Sequence, residues 1–429
     1  MWCHLNQLSN AMTCTSAVRR SVLAGLAMLM LASCGGGGGG AFQGDTGAPG
    51  TGGSGGGGTG GTTTTPRFLY VANSTSNNIT GYTVDVGTGK LTEMPTTPWA
   101  AGVTPTSMVV DPSGQYAYVA NADGDDVNTS TGSVSGYSID RTTGTTQGVL
   151  TSAFVPVAAG QNPSAIAIDP TGTYVYVANA GSGNVSGYKK GSAGVLTPLP
   201  GSPWLTTVTA TPPTPMSIAV DPLGRFVYVA NFALDTIAVF QIDTVTTGSH
   251  VAGALTFLGE VALPASVSGA RHPHSVTVDP TGNYVYVVDA TQADALPFVI
   301  STSAPWLTPV SSFSTVSTGL FPTAGAISPN GKYYYVANAN DDSVSSFSII
   351  PTTGDLSPLG VTVSLGTPSI GPYSITVDPS STYVYVAQSV DNKIGAYKIS
   401  DSGTLTAVTG APFEQPPGAT GPKSVVVTH

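Results

Sequence analysis

Met108-Val-Val-Asp-Pro-Ser-Gly-Gln-Tyr-Ala-Tyr-Val-Ala-Asn121 reads as two short strands joined by a tight turn. The apolar run ends in Asp111-Pro-Ser-Gly114, the residue order of a type I turn, in which Asp caps, Pro presets φ and Gly closes the hairpin. The phrase that follows recurs at Tyr70–Asn73, Tyr118–Asn121, Tyr176–Asn179, Tyr228–Asn231, Tyr286–Asp289, Tyr335–Asn338 and Tyr385–Gln388. Twelve residues after each Tyr stands an aromatic, at Tyr82, Tyr188, Phe240, Phe298, Phe347 and Tyr397, with Tyr137 seven residues late in the second repeat. One aromatic per repeat at a fixed offset is what packing between adjacent sheets requires. A Leu-Thr or Leu-Ser step then marks a fourth strand at Leu91, Leu150, Leu196, Leu255, Leu307, Leu356 and Leu405. Four antiparallel strands repeated radially make a β-propeller, so the expectation is an all-β chain of seven four-stranded blades.

The two ends of the repeat region complete one another. The first repeat starts at Arg67-Phe-Leu-Tyr70 with no inner strand before it, and the chain finishes on Pro422-Lys-Ser-Val-Val-Val427, an inner strand with nothing after it. Pairing the last strand into the first blade closes the ring and leaves no open edge at the seam. The propeller is placed at 66–429, and a monomer is expected.

Outside the repeats, Arg19-Arg20 and the apolar run Val22 to Ala32 read as an export signal too short to span a bilayer. Leu31-Ala-Ser-Cys34 resembles the lipobox of bacterial lipoproteins, which implies cleavage before Cys34, lipidation of it and membrane attachment through the lipid. Gly35 in place of Asp then points to the outer membrane. The plainer alternative is an ordinary cleaved signal with a chance cysteine. Segment 1–34 is therefore read as leader, and 35–65, almost all Gly, Thr, Ser and Ala, as a flexible tether that cannot bury enough apolar area to order itself.

With 8% charged residues and a net charge of −10, the chain lacks the basic footprint that nucleic acid demands. All three cysteines fall within the first 34 residues, so the repeats hold no disulfide and no thiolate metal site. The sequence carries no nucleophile elbow, phosphate loop or HExxH motif. No cofactor is expected.

The Tyr-Val-Ala-Asn phrase preceded by Asp-Pro-x-Gly resembles the YVTN and lactonase-like seven-bladed β-propeller families, across the whole of 66–429. Because the Asp-Pro turn lies at one face, chemistry is sought at the other, where the inner strands start. Five positions before the turn stand Thr106, Ser164, Met216, His274, Thr323 and Tyr373, with Lys423 on the closing strand, and these are expected to ring the channel mouth. Arg271-His-Pro-His-Ser275 concentrates two of the five histidines and an arginine at one blade entrance. It is similar to a signature of the lactonase-like enzymes. That resemblance implies His274 as general base on a water attacking a lactone carbonyl and Arg271 as the group polarising the oxygen, with His272, Tyr373 and Lys423 beside them. The bland alternative is a turn that packs and bonds locally. Where the family has Pro-Arg-His, this chain reads Pro322-Thr-Ala324, and Ser107 or Ala165 stands where another histidine is expected.

An insertion at Asp123-Gly-Asp-Asp-Val-Asn128 offers Asp123, Asp125 and Asp126 as hard ligands for Ca²⁺, although Asp, Asn and Gly also suit a plain turn. The leading expectation is thus an envelope-anchored binding or scaffold module that holds a small molecule, glycan or protein at the mouth. A lactone hydrolase and a calcium-stabilised surface or adhesion protein are the alternatives.

Overall fold

The computed structural model describes residues 66–122, 131–247, 251–266, 269–310, 315–360, 363–365 and 370–428. They form seven antiparallel sheets. Blade 1 pairs Arg67–Asn73 with both Asn78–Val84 and the C-terminal Pro422–Val427, so the expected closure is observed. Blades 2 to 7 begin on the inner strands Pro105–Val110, Pro163–Ile168, Pro215–Val220, Pro273–Val278, Pro322–Ile327 and Pro372–Val377. Each inner strand touches the next, and the cycle closes between Pro422–Val427 and Pro105–Val110. In most blades the outer strand is broken into two short pieces on the same neighbour, whereas blade 4 keeps one run, Leu255–Ala262.

Every inner strand starts with proline, which costs nothing there because a first strand residue needs no ladder N–H. The register then skips one residue: Pro105 pairs with Asn121 and Ser107 with Ala120, leaving Thr106 bulged, and the same shift recurs in all seven blades. A β-bulge re-aims a side chain. Seven bulges at one height therefore set the residues expected around the mouth.

The core lies between blades. Alternate residues of each second strand face opposite neighbours, as when Tyr118 and Ala120 pack on Ile166 and Val177 of blade 3 while Ala117 and Val119 pack on blade 1. The repeated tyrosine has a further role. Its hydroxyl donates to a glycine carbonyl in the outer hairpin of the next blade: Tyr70 to Gly148, Tyr118 to Gly194, Tyr176 to Gly253, Tyr286 to Gly354, Tyr335 to Gly403 and Tyr385 to Gly89. Glycine is required at that turn. At Gly194 φ is +78°, and a Cβ would sit 2.4 Å from the Tyr116 ring. In blade 5 the corresponding position, two before Leu307, is Pro305, and the hydroxyl of Tyr228 in blade 4 is buried with no partner.

Candidate functional site

The bulged ring does not form an open, polar mouth. Thr106, Ser164, Met216, His274, Thr323 and Tyr373 are all buried, and Lys423 is half-buried. The hydroxyls stitch neighbouring inner strands together: Thr106 donates to the Pro163 carbonyl at 2.8 Å, Ser164 to Pro215 at 2.7 Å and Thr323 to Pro372 at 3.1 Å. His274 occupies the same station, its Nδ1 donating to the Thr323 carbonyl at 2.7 Å. One residue further in, serines form a second belt. Ser107 accepts the Ile166 amide, Ser217 that of Val276, Ser275 that of Gly325, Ser374 that of Val425 and Ser424 that of Met108. Thr106, Ser164 and Thr323, expected to line a ligand site, are thus engaged in bonds between strands. A hydroxyl in a buried bond between strands is committed to the scaffold.

Blade 5 departs from this pattern, beginning at the end of its second strand. In five of the other six blades that position is an asparagine whose Nδ2 reaches a hydroxyl on the third strand, as in Asn121 to Ser135, Asn179 to Ser186 and Asn338 to Ser345, each at 3.0 Å, and in blade 7 it is Gln388. In blade 5 it is Asp289, and the residue facing it across the ladder is Asp294. Two carboxylates directly opposed repel. Arg271 lies between them, its Nη1 2.9 Å from Asp289 Oδ2 and 2.8 Å from Asp294 Oδ1, while its Nε donates to the Pro264 carbonyl. Burial is the largest influence on Asp294 and raises its carboxyl above the usual range, with the guanidinium pulling the other way. Arg271, expected to polarise a lactone oxygen, is thus a buried clamp whose charge is shared by two carboxylates.

His272 is the imidazole that solvent reaches. It is half-exposed, its Nδ1 lies 2.5 Å from Thr291 Oγ1, and its ring stacks on Phe232 of blade 4 at 4.6 Å between centroids. His274 is buried beneath, in edge contact with Phe232, Phe321 and Tyr373 at about 6 Å each. Lys423 Nζ sits 3.5 Å above the Tyr373 ring, a cation–π contact. The structure thus joins His272, His274, Tyr373 and Lys423 in one patch and leaves Thr106, Ser164 and Met216 on the blades beyond it. Sequence reasoning missed Phe232, Phe321, Asp294 and Thr291, and gave Asp289 no role. One signal was visible: Asp289 is the single acidic residue among the seven phrase endings.

Cys34 and the proposed calcium ligands Asp123, Asp125 and Asp126 lie outside the described residues. Among the described residues no cluster of His, Cys, Asp and Glu is arranged to hold a metal. No helix among them is long and apolar enough to cross a membrane.

The family model for a lactonase with a seven-bladed β-propeller matches residues 61–145 and 129–419. A 6-phosphogluconolactonase of Pectobacterium atrosepticum is 28% identical over 247 residues, 56% of this chain and 66% of that protein, so the match spans just under two thirds of that relative. Among solved structures, a Bacteroides uniformis protein provisionally described as a 6-phosphogluconolactonase superposes with a TM-score of 0.69 at 21% identity, covering 85% of this chain and 100% of that one. The periplasmic gluconolactonase of Pseudomonas aeruginosa gives 0.67 at 17% identity, covering 85% and 99%. At such identities the solved structures establish the fold alone.

Proposed function

The chain belongs to the lactonase family of seven-bladed β-propellers, and from that premise we propose that it hydrolyses a lactone at the blade 5 mouth. The observation that carries the reading is His272, a half-exposed imidazole fixed at Nδ1 by Thr291 and stacked on Phe232. In the tautomer whose Nδ1 donates to that hydroxyl, Nε2 is the nitrogen left to meet a water. It takes the water's proton as the oxygen attacks the carbonyl, and returns it to the ring oxygen when the tetrahedral intermediate opens to the hydroxy acid. Imidazole suits this exchange near neutral pH. Lys423 supplies positive charge for the carboxylate product. The base is thereby moved from the buried His274 to its neighbour two residues upstream, and His274 holds the floor.

The substrate we favour is a neutral lactone. A phosphoryl group wants several convergent cations, and Arg271 is taken by Asp289 and Asp294. The partly exposed rings of Phe232 and Phe321 instead suit the CH face of a sugar-like or aliphatic lactone. Acid release from neutral and phosphorylated lactones by the purified protein tests this: faster opening of the neutral compounds is expected, and no turnover of any lactone contradicts it. A non-catalytic binding module at the same mouth is the second reading, supported by Pro322-Thr-Ala324 standing where the lactonase-like signature has Pro-Arg-His.

The protein is also proposed to be exported and lipid-anchored at Cys34, a reading supported by the order of the basic pair, the apolar run and Leu31-Ala-Ser-Cys34. Arg67, at the start of the first described strand, pairs with Asp378 on the Asp-Pro-turn face, which is the face away from His272. A mass spectrum of the N-terminal peptide from cells tests the anchor: diacylated Cys34 is expected, and an unmodified cysteine refutes it.

A further inference from the structure

We infer that Asp289 is the positioning residue of the His272 site, an inference that rests on the lactonase reading for its kinetic consequences but not for its geometry. One oxygen, Asp289 Oδ1, accepts the backbone N–H of His272 at 3.0 Å, of Thr291 at 2.9 Å and of Gln292 at 3.1 Å. Both partners of the His272–Thr291 contact are therefore tied to a single atom. The other oxygen takes Arg271, and the residue is fully buried.

Comparison with the other blades shows what this replaces. Ahead of the inner-strand proline, Thr104, Asn162, Thr214, Phe321, Gly371 and Gly421 all have φ between +49° and +70°, and His272 does not share that conformation. Three of those residues have their amide held by the preceding blade, Thr104 by Asn77, Gly371 by Asp342 and Gly421 by Asn392. The amide of His272 is held by its own blade. An asparagine at 289 cannot do this with Arg271 in place: if its oxygen kept the three backbone donors, its NH₂ would face the guanidinium, donor against donor. The single exchange from the repeated Asn to Asp turns a donor into an acceptor, recruits Arg271 and releases the His272 segment from the left-handed conformation of its counterparts. The charged groups around the imidazole segment are Arg271, Asp289 and Asp294, with Lys423 reaching the patch from blade 1 over the Tyr373 ring.

The test compares Asp289→Asn with Asp294→Asn and Thr291→Val, following lactone turnover and the NMR titration of the His272 ring. Asp294→Asn removes a carboxylate from the same arginine without touching the His272 amide. Asp289→Asn is expected to lower kcat at least tenfold with KM changed less than about threefold, and to shift the His272 titration midpoint. Thr291→Val should shift that midpoint too, whereas Asp294→Asn should leave it in place. A midpoint unmoved by both Asp289→Asn and Thr291→Val, or moved equally by Asp294→Asn, overturns the inference. The NMR readout stands if the wild-type protein opens no lactone, so failure of the lactonase reading is told apart from failure of the positioning role.

Discussion

The seam between blades 4 and 5 is built differently from the other six. At each of those a tyrosine hydroxyl closes on the carbonyl of a glycine in the next outer hairpin. At the 4/5 seam Pro305 takes the glycine's place and the Tyr228 hydroxyl is left unmet. At the opposite face, where Asn77, Asp342 and Asn392 reach across to the following blade, His272 is held by Asp289 within blade 5. The seam keeps its apolar core, the Ser217 bond to the Val276 amide, the reach of Arg225 to the Gly282 carbonyl and the stacking of Phe232 on His272. The irregular seam is also the one that carries His272, the half-exposed imidazole among the described residues. Where all local rules agree the repeats serve the scaffold, and departures from them mark the place to look for function.

This contrast can be broken most forcefully at Arg271. Arg271→Ala leaves Asp289 and Asp294 facing one another in a buried ladder, and a loss of about 3–5 kcal/mol is expected in denaturant unfolding, the range for stranding a buried charge. A loss below about 1 kcal/mol would mean that the clamp is dispensable.

Smaller in size but sharper is a matched pair of hydroxyl deletions. Tyr118→Phe strips the Gly194 carbonyl of its partner in a buried site and should cost about 1–2 kcal/mol. Tyr228→Phe removes a hydroxyl that has no partner and should be neutral or slightly stabilising. Equal losses from the two substitutions would erase the distinction between the seams.

The smallest effect concerns pH. Burial outweighs Arg271 and raises the Asp294 carboxyl, so the native state holds that proton more tightly than the unfolded chain does. The group's contribution then favours the fold at low pH and is lost as the pH rises through the raised value. Asp294→Asn has no such proton, so the Tm of the variant relative to wild type should rise as the pH climbs above the ordinary carboxylate value of about 4. A difference that is flat, or that falls with pH, would show that pairing with Arg271 outweighs burial.

Much of the scaffold was legible because it is dictated by short-range chemistry written seven times. The Asp-Pro turn, the Tyr-Val-Ala-Asn strand and the lone final strand at Pro422–Val427 gave blade count and closure. The tyrosine clasp was less accessible, although Gly89, Gly148, Gly194, Gly253, Gly354 and Gly403 each precede the Leu step by two, because it joins residues 68 to 78 apart, or 296 across the closure. The candidate site was legible only in outline. His272 and His274 stand only two residues apart in sequence, yet the bulge at His274 sends them to different environments, one half-exposed and one buried. Arg271 looked like a free cation because its partners lie 18 and 23 residues downstream, and no local pattern reveals that Asp289 and Asp294 face one another. Phe232 comes from the neighbouring blade, a contact that only the assembled ring creates.

The most direct test of the account is the hydrolysis of a neutral lactone by wild-type protein beside His272→Ala, with Tm measured on both. The account predicts turnover by the wild type and a fall in kcat/KM of about 10²–10⁴-fold in the variant with Tm little changed, the usual weight of a general base. Turnover that survives His272→Ala intact would contradict it and remove this imidazole from the reaction.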